Sequence, residues 1–232
     1  MDTIQIEYQM SFPDNNKAVY VLQFESRTMK LLNPVPDKLP QWTDLSFQQC
    51  SHCPLSSETH PHCPLAVRLV DVIQQFDHLM SYENLILQVK TLRRVIFKKT
   101  TVQDALSALM GLIIPSSGCP HTAYFRPMAR FHLPLADTEE TIYRSTSMYL
   151  LAQYFRNKAG LKADPDLTGL KKIYEQMQTL NSAIAERLRS GSKTDSSVNA
   201  LILLDMFTLA LPFAIEESLE ELRDLFAKFL SP

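Results

Sequence analysis

The sequence predicts an α+β fold, and three observations carry the prediction. Apolar and polar residues alternate through the first thirty positions and again near residue 90, the period of half-buried strands. From Asp137 onward apolar residues recur at three-and-four spacing, the period of amphipathic helices. Between these patterns lies a proline- and cysteine-rich stretch that suits neither element. The expected architecture is a small N-terminal antiparallel β-meander plus a second hairpin, a cysteine-rich loop and a mainly helical C-terminal half. Its divisions are a meander over 1–33, a linker and cysteine loop over 34–64, a helix-hairpin-helix segment with the Cys119 loop over 65–135, and a helical bundle over 136–232, together one compact unit.

Taken in order, Ile4, Ile6, Tyr8 and Met10 alternate with polar neighbours, and Pro13-Asp14-Asn15-Asn16 supplies turn chemistry before the β-prone run Val19–Phe24. A second turn at Glu25-Ser26-Arg27 leads to a short third strand, Thr28–Leu32. Three prolines within Asn33–Pro40 make an extended linker, which delivers Trp42, Leu45 and Phe47 as apolar anchors. A helix over 65–80 follows Pro64, a residue suited to the first helical turn, and places Cys63 at a helix N-terminus. Leu85, Leu87 and Val89, then Val95 and Phe97, give the second hairpin, with Arg93, Arg94, Lys98 and Lys99 as solvated strand ends. Thr100-Thr101-Val102-Gln103 reads as a capping box, with Thr100 as the cap of a helix that stops at Pro115.

The segment Arg126–Pro134 is irregular, aromatic and basic. Asp137 then opens a helix carrying Ile142, Tyr143, Leu150, Leu151, Tyr154 and Phe155 to a stop at Gly160. Another starts at Asp166, with a seam of Leu170, Ile173, Met177, Leu180, Ile184 and Leu188, and ends at Gly191. A buried helix over 196–211 and an amphipathic one over 216–230 complete the chain.

With 45% apolar and 21% charged residues and a net charge of −2, the chain is an ordinary globular protein. That charge gives no footprint for a nucleic-acid backbone or an anionic membrane, so neither is expected as a partner. No basic segment with an apolar run opens the chain, so a cytoplasmic protein is expected. The apolar run Val198–Ile215 is broken by Asn199, Asp205, Thr208 and Pro212, which suits a core helix better than a membrane span.

Four cysteines in a reducing compartment are better explained as metal ligands, redox thiols or buried small residues than as a disulfide framework. Cys50 and Cys53 have the spacing with which two thiolates grip one ion from a tight turn, and Cys63 and Cys119 complete a four-thiol set. His60, His62 and His121 are alternative ligands. Three of the four cysteines precede proline and the histidines crowd around them, which favours metal over packing. Zinc is the leading ion, because this donor set matches its tetrahedral nitrogen and sulfur preference. An iron–sulfur cluster ranks below it for want of a compact C-x2-C-x2-C run, and a Cys50/Cys53 dithiol couple below that. Arg126, Arg130 and His132 form a candidate anion site. No nucleophile elbow, H-E-x-x-H or glycine-rich phosphate loop is present, so the chain leans away from enzymes.

The motifs Cys50-x-x-Cys53-Pro54-Leu55, His60-Pro61-His62-Cys63-Pro64-Leu65-Ala66, Ser117-Gly118-Cys119-Pro120, Arg126–Pro134 and Tyr149–Phe155 together resemble an uncharacterised bacterial family, a domain of unknown function. The resemblance spans most of the chain. It implies a bacterial cytosolic protein in which the four cysteines and the 126–134 loop belong to one signature. The expected function is a zinc-binding, non-enzymatic interaction or regulatory module with an unidentified protein partner; the alternative is an iron–sulfur or dithiol redox enzyme or sensor.

Overall fold

A computed structural model describes residues 2–191, 195, 198–199, 202 and 219–231. The helix expected over 196–211, with Asp205, and the start of the one over 216–230 lie largely outside them. Alternation in the first residues does give a hairpin: Thr3–Ser11 (β1) pairs antiparallel with Lys17–Glu25 (β2), with Tyr8 opposite Tyr20. Its turn holds Asn15 at a φ of +66°, and the Asn16 amide donates to the Asp14 carboxylate at 3.0 Å. The second hairpin joins Asn84–Lys90 (β3) to Val95–Thr101 (β4). Because β1 also pairs with β3, the two hairpins fuse into one antiparallel sheet of order β2-β1-β3-β4.

The fold is therefore α+β, with one sheet face buried. That face is made of Ile6, Tyr8, Met10, Leu22, Phe24, Leu85, Leu87 and Val89. The edge strand β4 is mostly exposed, and its Lys98 and Lys99 discourage pairing with another chain. Against the buried face pack helices Pro64–Phe76 (α1) and Val102–Ser116 (α2), whose buried residues include Leu65, Leu69, Val72, Phe76, Leu106, Leu109 and Ile113.

Thr28–Leu32 is not a third strand. Only Leu31 bridges to Phe24, and Met29 sits at a φ of +56°. Part of the segment's polar backbone returns to β2, through the Leu32 amide on the Gln23 carbonyl and the Glu25 amide on the Lys30 carbonyl, but the Leu31 amide donates to the Ser116 carbonyl and Arg68 donates to the carbonyls of Leu31 and the following Asn33. The cap of α2 is Thr101 rather than Thr100, because β4 continues through Thr101; its hydroxyl accepts from the Asp104 amide. The helix carries Pro115 in its last turn instead of stopping there, while α1 ends at Phe76, short of the expected 80.

A short helix, Arg126–Arg130 (α3), interrupts the segment expected to be irregular. Asp137 caps Thr138–Lys158 (α4) in a full capping box with Glu140. The buried face of α4 is Ile142, Ser145, Thr146, Tyr149 and Gln153, and the apolar residues expected to pack, Tyr143, Leu150, Leu151, Tyr154 and Phe155, are exposed. Thr168–Gly191 (α5) follows the predicted seam, burying Leu170, Met177, Leu180, Ile184 and Leu188. Its first half joins α4 in a small second core of Ile142, Tyr149, Leu167, Leu170 and Tyr174; its second half joins the main core. The described end of the chain is a 3-10 turn, Arg223–Phe226, and one helical turn, Ala227–Leu230.

Candidate metal centre

The cysteine loop is closed at its base by backbone pairing. After the proline linker, the 3-10 turn Gln41–Thr43 buries Trp42 and Thr43, and the chain then runs antiparallel to residues 61–63. The Leu45 amide donates to the Pro61 carbonyl and the Cys63 amide to the Thr43 carbonyl, each at 2.8 Å. Trp42 and Leu45 are buried and Phe47 packs on the main core, as the anchors were expected to do. Cys50 and Cys53 lie in the loop so closed, in a turn where the Cys53 amide donates to the Cys50 carbonyl at 3.0 Å. Cys63 is the N-cap of α1, followed by Pro64 at the first helical position.

Cys119 reaches this loop from the far end of α2. Gly118 adopts a φ of +99°, open to glycine and strained for other residues, and a Cβ there would lie 3.7 Å from the Pro64 Cβ. The turn therefore sets Cys119 beside Cys63. Three further bonds hold the turn: the Cys119 amide donates to the Ser117 hydroxyl, and the Thr122 hydroxyl is shared between the carbonyls of Ile114 and Cys119. On its other side, His121 Nε2 donates to the His52 carbonyl at 2.9 Å, with the two rings 4.1 Å apart, which ties the Cys119 turn to the Cys50–Cys53 turn.

The four thiols thus come together from three separated segments, and none is in a disulfide. They lie within electrostatic reach of one another. Burial first, and then the neighbouring thiols Cys63, Cys119 and Cys53, push the Cys50 thiol up to about 11; burial also raises Cys119. Cys50 and Cys119 therefore resist ionising without a cation to share the charge. Among the described residues no group of three or more His, Cys, Asp or Glu side chains stands so as to hold a metal ion, and the four thiols do not meet at one centre. In number and type, though not in their present placement, they match the donors a thiolate-loving ion takes.

The histidines are otherwise engaged. His62 Nδ1 faces the Asp44 carboxylate at 3.2 Å and the Thr43 hydroxyl at 3.1 Å, His60 meets the Thr59 hydroxyl on the surface, and His121 is bound to the His52 carbonyl. The His52 ring has both nitrogens buried without a hydrogen-bond partner, and burial followed by the His121 ring lowers its pKa.

Arg126, Arg130 and His132 are not joined by any contact among the described residues. Arg130 lies exposed over the Phe131 ring, whereas His132 is turned inward onto the Tyr8 hydroxyl. Burial, reinforced by Arg144, pushes His132 down to about 3, so it offers an anion no charge at neutral pH. Arg144, not singled out from the sequence, ties the loop by donating to the carbonyls of Met128 and Phe131.

Sequence reasoning also missed Arg187. Its side chain is 1% exposed, and its guanidinium donates to the carbonyls of Trp42 and Asp44 at 2.7 Å and of Leu45 at 3.0 Å, clamping α5 to the base of the cysteine loop. The signal was present: Arg187 lies three residues after Ile184 and seven after Leu180, on the apolar seam of its helix.

Fold and site together define an α+β protein whose three-cysteine loop is met by a fourth cysteine from the turn after α2. The chain belongs to a family described as a domain of unknown function (DUF6901), whose model matches residues 6–227. No curated protein and no solved structure matches it. No helix among the described residues is long and apolar enough to cross a membrane.

Proposed function

We propose that this is a metal-binding interaction or regulatory module of the bacterial cytoplasm, without enzymatic activity, in which Cys50, Cys53, Cys63 and Cys119 hold a structural zinc ion. The observation that carries the reading is the arrival of Cys119 at a loop more than fifty residues earlier, through Gly118 on Pro64 and His121 on His52. Ordinary packing has no need of four unpaired thiols at one junction of loop, α1 and α2. A zinc ion supplies the positive charge that lets all four ionise, and binding draws them to a common centre. The chain's own part is to present them: the paired arms 43–45 and 61–63 hold the loop, and the Gly118 turn fixes the fourth thiol. His60, His62 and His121 serve the loop's hydrogen bonding. The exposed apolar side chains on α4 support an interaction role with a protein partner.

Elemental analysis of untagged protein, purified anaerobically, with an absorbance spectrum of the same sample, tests the reading. About one equivalent of zinc per chain without colour is expected for a closed four-thiolate site. Iron with visible absorbance would replace zinc by a cluster and make this a redox protein. A metal-free chain that also fails to take up added zinc would overturn the proposal.

A further inference from the structure

The second hairpin carries a charge that the whole-chain balance averages away. From Asn84 to Gln103 the chain has five cations, Lys90, Arg93, Arg94, Lys98 and Lys99, and no carboxylate, although its net charge is −2. All five residues are exposed. Bare apolar side chains stand among them: Leu92 in the turn is 96% exposed, Phe97 66% and Val95 58%. Because Leu85, Leu87 and Val89 face the core, alternation puts Ile86, Gln88 and Lys90 on the outer face of β3, and the register sets Lys99, Phe97 and Val95 beside them on β4. On the other side Glu7 of β1 lies opposite Lys90, so the excess of cations sits at the turn and on β4. The turn satisfies its own amides. That of Thr91 donates to the Arg94 carbonyl at 2.9 Å, and those of Arg93 and Arg94 donate to the Thr91 hydroxyl.

Lysines on an edge strand guard against pairing with another chain, which explains Lys98 and Lys99. It does not explain a leucine and two arginines in the turn, beyond the ladder, or Val95 and Phe97 left bare on the outer face. Apolar side chains at a tip flanked by cations suit a surface that is anionic above and apolar beneath. We propose that the tip of the second hairpin docks on an anionic phospholipid surface, with Leu92, Val95 and Phe97 entering the headgroup boundary and Arg93, Arg94, Lys98 and Lys99 meeting the phosphates. Amides satisfied within the turn lower the cost of entry, because an unpaired backbone group is expensive away from water. A nucleic acid would use the same cations, but its bases stack on rings, and Leu92 and Val95 offer none. Such docking needs no spanning helix. It does not involve the thiols and stands whether or not they bind metal.

The test is sedimentation of the full chain with vesicles of phosphatidylcholine alone and of equal parts phosphatidylcholine and phosphatidylglycerol, beside an anisotropy titration of a labelled single-stranded oligonucleotide. The parent should bind the mixed vesicles, ignore phosphatidylcholine alone and let go as salt is raised. Removing two charges in the double variant Arg93→Gln, Arg94→Gln should weaken binding about 10- to 30-fold. Leu92→Ser should weaken it about 5- to 10-fold. Both variants change exposed positions and should melt with the parent, which separates lost binding from lost folding. A parent that ignores the mixed vesicles, or a double variant that binds them as the parent does, would overturn the inference. Full affinity in Leu92→Ser would overturn the entry of the tip, and binding of the oligonucleotide in place of the vesicles would make the hairpin a nucleic-acid surface instead.

Discussion

The Tyr8 hydroxyl has one hydrogen and two partners. It donates to the Ala108 carbonyl at 3.1 Å, so its contact with His132 is made by accepting from Nε2, and His132 is neutral with its proton on that nitrogen. This contact fixes the 126–134 segment on the inner face of the sheet. It also makes stability pH-dependent with a definite sign. The unfolded chain protonates His132 near 6.5, whereas the folded chain resists until about 3, so the unfolded state binds the extra proton between those values. The contribution is complete above about pH 6.5 and is lost as pH falls toward 3, amounting to a few kcal/mol. Urea unfolding of the parent chain and of His132→Gln should therefore show a steeper loss of stability in the parent from pH 6.5 down to 4. Parallel curves would mean that His132 titrates normally. Nothing in the sequence marks His132 as inward, because its partner Tyr8 lies on a strand 124 residues away.

At the scale of elements, legibility followed how each buried face is made. The seam of α5 was readable because leucine, isoleucine and methionine mark it. The buried face of α4 was not, because Ser145, Thr146 and Gln153 lie inside while Tyr154 and Phe155 lie outside, inverting the usual code. Thr28–Leu32 looks like a strand by composition, yet the Leu31 carbonyl is taken by Arg68 and the Leu31 amide by Ser116, tertiary contacts that local propensity does not encode. The end of α5 shows how tightly such contacts are set. A Cβ on Gly191 would lie 2.5 Å from Trp42 Nε1 and under 3.0 Å from two further indole carbons, and a rigid ring has little room to give. Gly191→Ala should therefore destabilise the protein by about 1–3 kcal/mol, although alanine is the better helix former. Chemical denaturation decides it: a stabilised variant would show that α5 and the 41–43 turn part freely.

Across the whole molecule, the sequence singles out the cysteines but not how they are brought near one another. Cys50 and Cys53 are paired by spacing, and Cys63 is marked by the helix that follows it; Cys119 is placed by Gly118, Pro64, His52 and His121, side chains and turns from three segments. The main core is nevertheless built from the sheet, α1, α2 and the end of α5 without help from the thiols' chemistry. Metal should therefore add stability to a fold that already exists, unlike a small zinc finger that is unfolded without it. Adding a strong chelator should lower the melting temperature by about 10 °C, the equivalent of about 3–4 kcal/mol for a chain of this length, without abolishing the cooperative transition. Cys53→Ser should melt at the chelated temperature whether or not chelator is present, because both changes remove the same stabilisation and their effects do not add. A parent chain indifferent to chelation, together with a Cys53→Ser variant of unchanged melting temperature, would show that the thiols are packing residues. Complete loss of the transition on chelation would show that the junction of loop, α1 and α2 nucleates the core rather than bracing it.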